Sequence, residues 1–145
     1  MKSKRIFNLI LFYLASITWG CIMTLIGAVV ILISLPFGKV HTYHGRLYAT
    51  WFKGWGGVSL GCFFVCGEDC QYDSLMSHEC GHGLQNCIWG PLMIFVVCIP
   101  SAVRYWYREL KYNRNGLTPP TDYDAIWFEG QATKWGEKYI LTNIW

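Results

Sequence analysis

With 145 residues, the chain has room for one domain. Hydrophobic residues make up 53% and charged residues only 14%, against about 25% charged in a typical soluble protein, so the composition points to a membrane. The net charge of +3 includes Lys2, Lys4 and Arg5 ahead of a long apolar run; the remainder is close to neutral and lacks the basic stripe that nucleic acid binding needs.

That run, Ile6 to Leu35, carries no charged side chain. As one helix it would reach ~45 Å, against a hydrocarbon core of ~30 Å. It predicts a single tilted transmembrane helix, hence an anchor over residues 1–36 and a second region over 37–145. A secretory signal peptide is the rival reading, but its apolar region spans only ~7–15 residues. The N-terminal basic cluster favours a cytoplasmic N-terminus and a single-pass orientation, a bias that Lys39, Arg46 and Lys53 weaken.

Residues 39–71 read as one β-hairpin. Val40 to Phe52 is rich in strand formers, Lys53 to Gly57 is a turn signal, and Val58 to Cys66 is a second strand. Gly57 to Val65 is a candidate edge strand for binding an extended peptide by strand addition, or else an ordinary hairpin packed on helices. Cys66 and Cys70 are close enough in sequence to close a short disulfide loop in an oxidising compartment.

The next stretch contains His78-Glu79-Cys80-Gly81-His82, the pattern His-Glu-x-x-His. Helical residues four apart share a face, so His78 and His82 can aim their imidazoles at one ion while Glu79 sits beside it as a proton acceptor. The helix is expected to start at Asp73 or Ser74 and to bury Met76, Cys80, Leu84, Cys87 and Ile88. Gly81 and Gly83 are costly in a helix interior and imply close packing by a neighbour.

Ile88 to Tyr107 is apolar, but Gly90-Pro91 and Pro100 argue against a simple span. Two short helices, 92–99 and 101–113, are expected beside the bilayer, with Arg104, Arg108, Lys111 and Arg114 reaching for headgroups. A true second span is the alternative. Asp124 is expected to cap a last helix, Ala125 to about Ile140. There Glu129, Ala132, Thr133 and Gly136 share one face. Three small residues beside a carboxylate make Glu129 the best third ligand, ahead of Glu137, Asp122 and Asp124.

His-Glu-x-x-His on one helix with Glu on a later one resembles the gluzincin metallopeptidases. The run Asn86 to Arg108 and the final Trp127-Phe128-Glu129-Gly130-Gln131-Ala132-Thr133-Lys134 are similar to a family of small bacterial membrane proteins with a His-Glu-Phe-Gly-His-like motif. The resemblance covers most of the chain after residue 50. It implies a zinc-binding fold and names no substrate; with the anchor and hairpin read above, the expected architecture is α+β, an N-terminal transmembrane helix, a β-hairpin and a compact helical zincin-like (minimal gluzincin) domain, in a bacterial cell membrane. Many gluzincins carry an Asp four residues after the ligand Glu to orient a histidine. Here that position is Thr133, so either another acceptor serves His78 or the site is looser than usual.

The expected activity is hydrolysis of peptide bonds. His78, His82 and Glu129 would hold Zn2+, Glu79 would be the catalytic base, and Tyr123, His41 or His44 would stabilise the oxyanion. The expected partners are the lipid bilayer and a peptide or protein substrate, with no nucleic acid. Two alternatives are a catalytically inactive zinc-binding membrane protein, acting as an interaction or immunity module, and a structural membrane protein with a coincidental motif.

Overall fold

The long apolar run folds as two helices, not one. In the computed structural model, which describes residues 2–141, α1 spans Lys2–Thr18 and α2 spans Cys21–Ser34, and the two are bent by 100° at Trp19-Gly20. Residue 1 and residues 142–145, at the ends of the two expected regions, lie outside the described residues. The bend is held by polar contacts from a later helix. Asn86 Nδ2 donates to the Gly20 carbonyl at 3.2 Å, and Trp19 Nε1 donates to the Ile88 carbonyl at 3.1 Å. The Thr24 hydroxyl donates to the Ser16 carbonyl at 2.8 Å across the break. A side chain at position 20 would overlap the Asn86 amide, so glycine is required there. Hydropathy alone reads through this break because neither Trp19 nor Gly20 carries charge. At ~25 Å and ~21 Å, each helix is shorter than the ~30 Å hydrocarbon core. No helix among the described residues is long and apolar enough by itself to cross a membrane.

The expected single hairpin is two. β1 (Val40–Tyr43) and β2 (Arg46–Thr50) form one antiparallel pair; β3 (Gly57–Leu60) and β4 (Phe63–Cys66) form the other. They join through a parallel β2–β4 pairing that sets Tyr48 opposite Phe64, giving the order β1-β2-β4-β3. The first turn is His44-Gly45, with φ of 48° and 81°, a left-handed pair suited to a tight hairpin. The Lys53–Gly57 segment, expected as the turn, is instead the connection between hairpins. All seven cysteines are free: Cys70 gives its thiol proton to the Trp55 carbonyl, and no Cys66–Cys70 bridge forms. Arg46, counted above among the charges that follow the apolar run, is buried with its guanidinium 4.2 Å from the centre of the Phe12 ring.

Helix α3 (Asp73–Trp89) is the centre of the packing, touching α1, β3, β4 and α5. It begins at Asp73 as expected, though no side chain caps it. Met76, Cys80 and Leu84 are buried, while Ile88 is 57% exposed, contrary to the expected apolar stripe. Gly81 and Gly83 serve different neighbours. A methyl at 81 would overlap the Ala132 carbonyl, whereas one at 83 would meet the Gly61 carbonyl oxygen at 3.0 Å. Beyond α3 the helical path continues through Gly90–Leu92, bends by 117° at Met93 and passes through a π-helical turn, Ile94–Cys98, into α4 (Ile99–Lys111). The expected break at Pro100 is absent: the proline lies in the first turn of α4, directly after the π-helical turn, and the helical backbone runs through it. The last helix, α5 (Trp127–Trp135), runs on as a π-helical segment, Gly136–Leu141. It starts two residues later than expected, and Asp124 does not cap it.

Candidate metal centre

Helix α3 supplies His78 and His82 one turn apart, with ring centres 4.7 Å apart and planes perpendicular. Helix α5 lies against them because Gly81 meets Ala132 and Gly136 meets Ser77, contacts with no room for a side chain. That approach delivers Glu129. Its Oε2 is 3.2 Å from His78 Nε2 and 3.1 Å from His82 Nε2. One ligand atom from each of the three residues lies within 4.8 Å of the others, a group that could hold a metal ion. Glu129 is fully buried, and the two histidine side chains are nearly so.

The outer hydrogen bonds fix which atoms face inward. Gln85 Nε2 donates to the Phe128 carbonyl at 2.8 Å and to Gln131 Oε1 at 3.0 Å, so both its protons are used. Its Oε1 is therefore the acceptor for His82 Nδ1–H, at 2.7 Å. His78 Nδ1 lies 2.8 Å from the Thr133 hydroxyl. Ser101, on α4, donates a short hydrogen bond to Glu129 Oε1 and lies 3.3 Å from the Tyr123 hydroxyl. Each ligand is thus held from outside, leaving two Nε2 atoms and one carboxylate oxygen to converge.

Burial alone would push the Glu129 carboxyl up, but hydrogen bonds from His78, His82 and Ser101 outweigh it and hold the group well below the usual carboxylate range. Burial alone would push His82 down; its hydrogen bond to Glu129 and the Glu79 and Glu129 charges outweigh that and hold it up. Acid therefore favours the protonated pair, and because a ligand imidazole must be neutral, affinity for a metal would fall with falling pH.

Glu79 points away from α5, towards the edge strand. A methyl on Gly57 would come within 2.8 Å of Glu79 Oε1, so that glycine lets β3 reach the carboxylate. Glu79 is 4% exposed, and its Oε2 has no hydrogen-bond partner among the described residues. Burial pushes its carboxyl up, against the pull of His78 and His82.

Of the three candidate oxyanion donors, only Tyr123 is at the site; burial pushes its phenol up to about 12. His41 sits on β1, at the opposite sheet edge from β3, beside Tyr48 and Thr50, and His44 lies in the β1–β2 turn. Glu137, Asp122 and Asp124 are exposed and outside the ligand group. Arg104 and Arg108 do not reach outward; they donate to the carbonyls of Thr121, Asp122 and Tyr123 and tie the loop before α5 to α4. Sequence reasoning missed Gln85 and Ser101. Gln85 was within reach, being three residues after His82 on one helix. Ser101 gave no local signal.

His78, His82 and Glu129 thus form a group that could hold a metal ion. No protein-family model, curated protein or solved structure matches this chain.

Proposed function

We propose that this chain is a membrane-associated zinc metallopeptidase of the gluzincin type. Two imidazole nitrogens and one carboxylate oxygen form a donor set that suits Zn2+ and leaves a fourth position open. The observation that carries the reading is the pairing of that set with a buried carboxylate, Glu79, that keeps one oxygen free of any described partner. Zinc held there would supply the Lewis acidity that makes water a nucleophile near neutral pH. Glu79 takes the water proton as the peptide carbonyl is attacked and returns it to the leaving amine. Tyr123 is the donor best placed to meet the developing oxyanion. Strand β3 has a free edge next to Glu79 and receives the substrate backbone as an added strand. An inactive binding module would have no use for an unpaired buried carboxylate, which is why the hydrolytic reading is preferred.

The test is cleavage of a broad peptide library by zinc-loaded protein, read by mass spectrometry. Cuts should appear with metal, vanish on chelation and return with added zinc. A library left whole under all three conditions would overturn the peptidase reading.

The membrane reading rests on unpartnered apolar surface. Ile6, Ile10 and Leu14 on α1, and Leu25, Val29 and Leu32 on α2, are all about half exposed or more. On α4, Ile99, Val103, Trp106 and Leu110 form an exposed stripe opposite the Ser101, Arg104 and Arg108 face that holds the site. A bilayer is the solvent that suits such faces on short, bent helices. The protein is expected to float with liposomes in a density gradient and to stay bound after a high-salt wash; recovery in the unbound fraction without detergent would refute this.

A further inference from the structure

We propose that Asp124, acting through the Thr133 hydroxyl, is the positioning residue that fixes His78 for metal binding; the inference rests on the metal reading above. Thr133 Oγ1 lies 2.8 Å from His78 Nδ1 and 2.6 Å from Asp124 Oδ2. A threonine hydroxyl has one proton, and a carboxylate has none to give. The proton therefore goes to Asp124. Thr133 Oγ1 is left as an acceptor, and only an Nδ1–H on His78 can satisfy it. With Nδ1 held as the donor to Thr133, Nε2 is the nitrogen left to turn inward, 3.2 Å from Glu129 Oε2, and is the one a metal would take. Without Asp124 the hydroxyl is free to turn and donate to His78 Nδ1, which would place the imidazole proton on Nε2, where the metal must bind.

The fold builds this relay from the turn before α5. Asp124 belongs to the turn Tyr123–Ala125, and Thr133 lies two turns further along the chain, on α5. The turn folds back on the helix at Gly130, where a methyl would come within 2.7 Å of the Asp124 carbonyl oxygen. Where a gluzincin places a carboxylate directly on its histidine, this chain uses a hydroxyl and draws the carboxylate from nine positions earlier. The residue that departs from the family pattern is thus the middle member of a longer chain with the same polarity. His82 is served differently, by the neutral Gln85 amide, so the charge in the outer shell reaches the metal through His78 alone.

Because Asp124 and Thr133 act in series, their losses should not add. Zinc affinity, measured by competition with a chromophoric chelator, should fall roughly 10–100-fold in Thr133→Val and by a similar factor in Asp124→Ala. The double variant should match Thr133→Val alone. Thr133→Ser should retain wild-type affinity. Thr133→Asp, which puts a carboxylate directly on His78, should restore affinity and be insensitive to Asp124→Ala. An unchanged affinity in Asp124→Ala, or losses that multiply in the double variant, would overturn the relay. Imidazole 15N shifts of the metal-free protein give a second readout. His78 Nδ1 should carry a proton in the wild type and lose it in part in Asp124→Ala; the same Nδ1 signal in both overturns the proposal. If the wild type takes up no zinc, the metal reading fails by itself, and these shifts still decide the relay.

Discussion

Glu129→Ala is expected to lower zinc affinity by more than the roughly 10–100-fold that loss of an outer hydrogen bond costs. The carboxylate is the only negative charge among the three converging groups, and it is wholly buried. Removing it leaves two neutral imidazoles on one helix and strands the Ser101 hydroxyl that had donated to it. Chelator competition at several pH values checks this, and the profile carries a sign. In the wild type Glu129 holds His82 above its ordinary value, so a proton competes with the metal as pH falls. Without Glu129, the hydrogen bond and charge that most raise His82 are gone and burial pulls it down, so that competition weakens. The gap between wild type and variant should therefore be widest at neutral to alkaline pH and narrow towards acid. Equal affinity at neutral pH would remove Glu129 from the ligand set. Glu137, the other carboxylate of the last helix, is exposed and should be replaceable without loss.

The site was more legible in the sequence than the fold. His78, Glu79 and His82 follow from a spacing that a helix converts into geometry with no tertiary information. Glu129 followed from the small residues on its face, and the packing of Ala132 on Gly81 and of Gly136 on Ser77 is the physical content of that signal. What failed was whatever depends on contacts between distant segments. The bend at Trp19-Gly20 is set by Asn86 and Ile88, nearly seventy residues away, and a hydropathy window has no access to them. The two hairpins were merged because His44-Gly45 is not a typical turn dipeptide, while Gly54 to Gly57 looks like a turn and is a connection. Arg104 and Arg108 were assigned to headgroups by charge alone; the loop carbonyls at 121–123 claim them first. Ser101 shows the same limit at the site itself. A serine after a proline in an apolar run says nothing until α4 is folded back on Glu129.

That fold-back gives α4 two duties. Its polar face, through Ser101, holds the non-converging oxygen of Glu129, and its opposite face is the exposed stripe of Val103, Trp106 and Leu110. The helix buries none of its own residues, so its hold on the rest of the chain comes largely from Ser101, Arg104 and Arg108. A surface that orders α4 from outside therefore also orders Glu129 from inside. This is one physical reason for a small chain to combine an apolar exterior with a buried ionic centre.

Glu79→Gln is expected to separate metal binding from hydrolysis. Glu79 is not one of the three converging donors; it faces Gly57 on the edge strand rather than α5. Zinc affinity should stay within a few-fold of wild type. Peptide cleavage should fall by about 10²–10⁴, the usual contribution of a positioned general base, because a glutamine oxygen cannot carry the water proton to the leaving amine. Stability should move the other way. Burial holds the Glu79 carboxyl above its ordinary value, so the folded chain binds a proton more tightly there than the unfolded chain does. Stability from that group is present below the unfolded value and is lost as pH rises through the folded one. The folded chain therefore loses stability through Glu79 as pH rises above the unfolded value, and the isosteric amide, which does not titrate, is free of that loss. Thermal unfolding of metal-free Glu79→Gln should occur at a temperature equal to or above that of wild type at pH 7, with the difference shrinking towards acid. A variant that is less stable and binds no zinc would make Glu79 a structural residue. One that cleaves as well as wild type would move the proton transfer to another group. Retained metal, lost cleavage and undiminished stability together are the signature of a carboxylate kept for chemistry at the expense of the fold.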